Sequence, residues 1–284
     1  MALRLATFTL PGSAGHARFG VVTDDGIIDL SGDLPGYTGL RQVLAEGALG
    51  ELIAAADGRE PTVSVADVEL LPVIPDPGKI LCAGVNYHAH REEAGRAAGA
   101  RPTIFIRFAD TQAGAGAVVA LPPAVEKFDY EGELAVVIGR AGHQVSAADA
   151  FGYVAGYACY NDFSARDWQR HSTQWTAGKN FPGTGAFGPA LVTADEIPDV
   201  CALRLETRVN GEVRQSASVA ELIFSIPELI EYVTSFTPLS PGDVLVTGTP
   251  GGVGMFRDPP VFLQRGDEVE VQISGVGLLR NVIG

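Results

Sequence analysis

Hydrophobic positions along this chain recur mostly with a period of two. They fall in short runs punctuated by glycine and proline, and only rarely keep the period of a helix. Residues 4–9, 18–22 and 26–30 alternate as short strands, separated by the turn-forming stretches Pro11-Gly12-Ser13-Ala14-Gly15 and Asp24-Asp25-Gly26. Leu40, Val43, Leu44, Ala48 and Leu52 follow at helical spacing and predict one amphipathic helix over 39–56. Gly47 and Gly50 weaken it, at about 1 kcal/mol each against Ala. The run Leu71-Pro72-Val73-Ile74-Pro75-Asp76-Pro77-Gly78 cannot sustain a hydrogen-bonded ladder and predicts a linker. The expected division is a small α+β domain over 1–72 and a larger domain over 73–284.

Beyond the linker, apolar runs at 80–83, 104–108, 117–120, 134–138, 190–192, 203–209, 244–247 and 269–273 predict strands. Helices are expected only over 86–97, 146–150 and 225–235. The last opens with the capping-box pattern Ser225-Ile226-Pro227-Glu228. Asn210-Gly211, between two strand-like runs, predicts a hairpin. The expected fold class is mixed α+β, predominantly β.

Composition narrows the function classes. With 46% hydrophobic and 19% charged residues, the chain can bury a large core. A net charge of −14 argues against nucleic acid as a partner. The basic positions Arg91, Arg96 and Arg101 are interrupted by Glu92 and Glu93 and read as a helix surface. No apolar run approaches the length of a membrane span, so no membrane partner is expected. Met1-Ala2-Leu3-Arg4-Leu5 leads straight into strand alternation, so no signal peptide is expected. Cys82, Cys159 and Cys201 are far apart, with no C-x-x-C, and read as reduced core residues of a cytoplasmic protein. A nucleophilic Cys159 near Asp162 is the weaker alternative, since no histidine lies beside it in sequence.

The candidate chemistry centres on Asp129-Tyr130-Glu131-Gly132-Glu133-Leu134-Ala135-Val136-Val137-Ile138-Gly139. In a strand, Glu131 and Glu133 point one way and Leu134, Val136 and Ile138 the other. Alone, Glu-x-Glu is most often a solvated strand face. Asn161-Asp162-Phe163-Ser164-Ala165-Arg166-Asp167 adds a third carboxylate in an apolar setting. Three carboxylates without a Cys or His cluster favour a hard ion, Mg2+ or Mn2+, over zinc. His90 and Glu93 are three apart, so a helical segment puts them on one face; a carboxylate that fixes the imidazole makes a general base, and otherwise they are surface charges. Arg166 and Gln169 are also three apart, and Arg166 suits either a carboxylate substrate or an ion pair. Lys179, in the loop Gly178-Lys179-Asn180-Phe181-Pro182-Gly183-Thr184, is either a substrate-charge partner or an exposed lysine. Thr247-Gly248-Thr249-Pro250-Gly251-Gly252-Val253-Gly254 is not a dinucleotide loop, because Pro250 interrupts it and no helix pattern follows. Gly248 and Thr249 fit a backbone-rich anion contact or a plain turn.

In order along residues 79–284, these segments resemble the fumarylacetoacetate hydrolase family: G-x-N-Y-x-x-H-x-x-E, D-Y-E-x-E-L-A-x-V-I-G, N-D-x-S-A-R-D, a G-K loop, T-G-T-P-x-G-V-G and G-D-x-V-x-V. The resemblance implies a mixed β-sandwich roll with a small N-terminal domain, and a homodimer. It implies Glu131, Glu133 and Asp162 as metal ligands, for Mg2+ or Mn2+ with Ca2+ as an alternative. It implies His90 and Glu93 as a catalytic dyad and Lys179 as an active-site lysine. Arg166, Gln169, Thr249 and Gly248 would contact a small anionic 2-oxo or diketo acid. Arg107 and Phe108 stand where many relatives carry Lys-Pro or Lys-Ser, and Asn180–Thr184 where many carry an early acid, so Arg107 is a further substrate-facing candidate. The expected reaction is hydrolysis of a C–C bond in a small diketo acid, such as an acylpyruvate, releasing a carboxylic acid and a pyruvate-type enolate. The alternatives are decarboxylation of an oxaloacetate-type acid, isomerisation or hydration of a 2-hydroxydienoate at the same site, and a non-catalytic binding protein that keeps the metal site.

Overall fold

The computed structural model describes residues 3–12, 15–97 and 99–284. Met1, Ala2 and Ala98, with Ser13 and Ala14 of the first expected turn, lie outside the described residues. The principal strands are β1 (Arg4–Thr9), β2 (Arg18–Thr23), β3 (Gly26–Asp29), β4 (Ile80–Gly84), β5 (Thr103–Arg107), β6 (Gly132–Ile138), β7 (Val154–Asp162), β8 (Gly185–Thr193), β9 (Arg204–Val209), β10 (Glu212–Ser218), β11 (Val244–Val246), β12 (Glu268–Ile273) and β13 (Gly277–Ile283). One sheet runs β3-β2-β1-β8-β7-β6-β11-β4-β5, and a second runs β10-β9-β12-β13 and ends on the short strand Val118–Val119.

Alternation sorts β6 between two cores. Leu134, Val136 and Ile138 pack with Leu205, Val269, Val271 and Ile273 of the second sheet. Ala135 and Val137 pack with Leu40, Val43 and Leu52 from the N-terminal segment. The result is the sheet-rich sandwich that the resemblance implied. The described part of residues 1–72 shares this sheet and core. β1 pairs antiparallel with β8, Arg4 opposite Val192 and Leu5 opposite Leu191. Sheet and core continue across the proline-rich stretch that ends near residue 78.

Several elements differ from the sequence expectation, among them the 3-10 segment Ala147–Tyr153 where a helix is expected and the unexpected strand β13. The helix over 39–56 is two helices, Leu40–Ala45 and Leu49–Ala56, because Gly47 adopts φ +67° between them. The helix expected over 86–97 spans only His88–Glu93. β7, which carries Asp162, shows no alternation because it is buried on both faces; small residues at Ala155, Gly156 and Ala158 let its neighbours close in. A Cβ on Gly156 would come within 2.1 Å of the Val192 carbonyl oxygen. Cys82 and Cys159 are buried as expected, but Cys201 is exposed in the 3-10 turn Val200–Ala202, whose buried side chain is Val200. Among the described residues, no helix is long and apolar enough to cross a membrane.

Candidate active site

The ends of β6 and β7 create the site. Gly132 lies opposite Asn161 and Glu133 opposite Tyr160. Glu131 and Asp162, just outside that register, therefore meet, with Asp162 N–H donating to Glu131 O at 2.9 Å. Glu131 N–H donates to the Asn161 side-chain oxygen at 3.0 Å. Glu131, Glu133 and Asp162 are all buried, and each offers a carboxylate oxygen within 4.8 Å of the others. Ionised carboxylates this close, out of water, repel strongly.

Three buried cations offset part of that repulsion. Lys179 ends the short helix Thr176–Lys179 and donates from Nζ to Glu131 Oε2 at 2.5 Å and Asp162 Oδ2 at 2.6 Å. Arg166 donates to Glu131 Oε1 at 2.5 Å and to Asp129 Oδ2 at 2.9 Å. Arg107, at the end of β5, donates to Asp162 Oδ1 and to Thr184 Oγ1, the latter at 2.7 Å. Glu133 has no bonded cation among the described residues; its Oε2 accepts from Gly248 N–H at 2.5 Å. The carboxyls respond differently. Burial would raise Glu131, but Arg166 and Lys179 reverse this and hold it well below the usual carboxylate range. Burial, then Asp162 and Glu131, push Glu133 well above that range. Burial disfavours the Lys179 ammonium, yet Asp162 and Glu131 outweigh it and hold the group above its ordinary value.

This donor set fits a hard divalent cation. All three groups are oxygen donors, and Glu133 is a buried carboxyl with no side-chain cation bonded to it among the described residues. Glu131, Glu133 and Asp162 could hold such an ion.

A second set faces the same cleft. His90 Nδ1 lies 2.7 Å from Glu93 Oε1, and Glu93 Oε2 accepts from Gly252 N–H at 2.8 Å. The carboxylate is held at both oxygens, so the imidazole is oriented through Nδ1 and keeps Nε2 free. His90, Glu131, Glu133, Arg166, Lys179 and Thr249 line one cleft of about 100 Å³.

Other candidates sit differently. Gln169 lines the cleft and accepts from Arg166 Nη1 at 3.2 Å. Thr249 donates its hydroxyl to Gly132 O at 2.9 Å and accepts from Gln215 at 2.8 Å, so that proton is already committed. Gly248 and Arg107 do not line the cleft: Gly248 N–H holds Glu133, and Arg107 is buried behind Asp162. Lys179 is buried, which removes the exposed-loop alternative. Cys159 is no nucleophile, because burial pushes its thiol up to about 12 and its Sγ–H faces Gly277 O at 3.4 Å. His88 is exposed beside Arg91. Asp129 was missed. Its Oδ1 accepts from Gly254 N–H and Tyr130 N–H, and its Oδ2 from Met255 N–H and Arg166 Nε, so it ties three segments together. Its only sequence signal is an acid leading an apolar run.

Comparison with known proteins identifies the family. The family described as Fumarylacetoacetate (FAA) hydrolase C-terminal matches residues 79–284. The mitochondrial oxaloacetate tautomerase FAHD2A of Bos taurus is 39% identical over 287 residues, covering 99% of this chain and 91% of that protein. The fumarylacetoacetate hydrolase EaFAH from Exiguobacterium antarcticum superposes with a TM-score of 0.84 at 32% identity, over 99% of each chain. The maleylpyruvate hydrolase from Sphingobium sp. SYK-6, solved with manganese(II) and pyruvate, superposes with a TM-score of 0.82 at 30% identity, over 99% of this chain and 98% of that one.

Proposed function

The chain belongs to the fumarylacetoacetate hydrolase family, and from that premise we propose that it is a metal-dependent enzyme of small 2-oxo acids that interconverts their keto and enol forms. The observation that carries this reading is a histidine, held by a fixed carboxylate, on the wall of the cleft that contains the buried carboxylate triad. Glu131, Glu133 and Asp162 would hold the ion, with Mg2+ or Mn2+ favoured because three carboxylate donors converge among the described residues and the cleft leaves room for water and substrate. When bound, the cation supplies Lewis-acid polarisation of the oxygens at the 2-oxo end. His90 Nε2 takes the proton from the carbon beside the 2-oxo group and delivers it to the 2-oxo oxygen, giving the enol; ketonisation runs the same two transfers in reverse. Glu93 stabilises the imidazolium that forms in between. Lys179 is the ammonium nearest the developing negative charge, while Arg166 and Arg107 hold two of the ligand carboxylates in place.

A second reading shares the enolate. The same dyad would take its proton from water, and a C–C bond of a diketo acid would be hydrolysed to a carboxylic acid and a pyruvate-type enolate. The solved neighbour named a maleylpyruvate hydrolase, which holds manganese(II) and pyruvate, favours keeping it. A homodimer belongs to the same proposal and is read by light scattering.

The test is a side-by-side assay of the Mn2+-loaded protein on enol oxaloacetate and on acetylpyruvate. Accelerated loss of enol absorbance without pyruvate release supports the first reading. Acetate and pyruvate from acetylpyruvate move the assignment to the second. His90→Ala should lower either rate by about 10²–10⁴-fold while Mn2+ affinity by calorimetry holds. An unchanged rate in that variant would overturn the role given to the dyad.

A further inference from the structure

The cleft continues outward from the carboxylates along an aromatic wall. Lys179 Nζ lies 5.0 Å from the centroid of the Phe105 ring, Phe105 meets Trp175 edge-on at 5.4 Å, and the Arg96 guanidinium lies 5.1 Å over Trp175. A cation thus stands at each end of the wall. Gly84 makes room for it, since a Cβ there would come within 2.1 Å of the Trp175 ring. Beyond Trp175 the cleft opens into an outer bay. Arg96 and Arg170 line both the cleft and the bay, and the rest of the bay is neutral, including Thr103, Gln169, Ser172 and Gln174.

Those two arginines are unlike many others in this protein. The chain has 34 acidic and 20 basic residues, and arginines such as Arg41, Arg59 and Arg280 pair with carboxylates. Among the described residues, neither Arg96 nor Arg170 has an acidic partner, and the side-chain contact of Arg170 is Met255 Sδ at 3.7 Å. Two unpaired guanidiniums at one opening, with no carboxylate lining it, form a local positive site on an acidic protein.

We propose that Arg96 and Arg170 form a second anion subsite at the mouth of the cleft. A 2-oxo diacid would sit with its 2-oxo end at the carboxylate triad and its far carboxylate on the two guanidiniums, which makes Arg96 and Arg170 the residues that select for the second carboxylate. This rests on the reading of the inner end as a 2-oxo acid site. Two aromatic rings separate Lys179 from Arg96, so extended diacids such as 2-oxoadipate span the cleft better than oxaloacetate does.

The test is calorimetric titration of the Mg2+-loaded full chain with 2-oxoadipate, 2-oxohexanoate and pyruvate, with tryptophan fluorescence followed in parallel. The first two acids match in length and differ only in a terminal carboxylate against a methyl group. The expected result is 2-oxoadipate binding roughly ten-fold tighter than 2-oxohexanoate, the scale of one charge-assisted hydrogen bond. The double variant Arg96→Gln, Arg170→Gln should bring that ratio close to one and leave pyruvate affinity unchanged. Arg101→Gln, an exposed arginine outside the bay, should keep the ratio. Failure of pyruvate to bind would overturn the inner-end reading alone. Equal affinity for the two longer acids, no binding of 2-oxoadipate, or a ratio that survives both substitutions would overturn the subsite.

Discussion

Replacing Glu133 by Gln should stabilise the metal-free protein while weakening its hold on a divalent cation. The three carboxylates bring oxygens within 4.8 Å of one another. At an effective dielectric of about 20, each like-charge pair at that separation would cost about 3.5 kcal/mol with both groups ionised. The Glu133 carboxyl escapes that cost by holding its proton well above the usual carboxylate range, itself at the expense of stability near neutral pH. Lys179 bonds Glu131 and Asp162 but not Glu133, so it offsets only part of the repulsion that Glu133 feels. A net relief of about 1–3 kcal/mol is expected on neutralising Glu133. Gln keeps an oxygen for Gly248 N–H, and its amide N–H groups can donate to the neighbouring carboxylates, so no polar group is orphaned. Urea unfolding in EDTA should show a higher midpoint at unchanged slope. Calorimetry with Mn2+ should show affinity lower by about 100-fold or more, since even outer partners of a metal site cost up to that much. A metal-free variant less stable than the wild type would refute the electrostatic reasoning, and undiminished Mn2+ affinity would refute the ligand assignment.

Other perturbations read different parts of the same structure. Lys179→Met leaves Glu131 and Asp162 without their shared ammonium and should cost the metal-free protein about 3–5 kcal/mol; added Mn2+ should recover much of this in a thermal shift, and a neutral result would count against the ion triad. Gly84→Ala must move Trp175, because Gly84 is held in β4 opposite Thr103; a loss of about 1–3 kcal/mol and altered tryptophan emission are expected, and an unaltered spectrum would show that the wall can yield. Glu228→Gln weakens the cap of helix Ile226–Thr234, where Glu228 Oε2 accepts from Ser225 Oγ at 2.6 Å and Ser225 N–H at 2.8 Å. Near neutral pH this should cost roughly 0.5–1 kcal/mol. The Ser225 hydroxyl, then its N–H, hold the Glu228 carboxyl below its ordinary value, so its contribution is present above the unfolded pKa and lost as pH falls through the folded one. Wild type and variant should therefore converge in acid, and a gap that persists there would exclude the charged cap.

Residue spacing made the local parts of the site legible. Glu131 and Glu133 two apart, and His90 and Glu93 three apart, are relations that a strand or a helical turn sets without help from elsewhere. The structure accordingly has His90 and Glu93 in contact at 2.7 Å. Arg96 was legible only as one charge among several, because nothing in its neighbourhood foretells that it stacks on Trp175, nearly eighty positions away in sequence. Arg107 was read as facing substrate. Its actual partner, Asp162, lies across the sheet, and a buried guanidinium goes to the carboxylate that can pair with it.

Local pattern sets the β-rich character, the residue types of the candidate metal site and the oriented histidine, since each depends on periodicity or on neighbours a few residues apart. Tertiary structure decided the rest. It placed β7 at the centre of the sheet, where burial on both faces removes the alternation by which strands are recognised. It joined β1 to β8, making one sheet of what composition had divided at residue 72. It also chose which carboxylates keep a cation and left Glu133 without one. Those outcomes depend on contacts between segments far apart in the chain, whose energies are settled by the whole packed core.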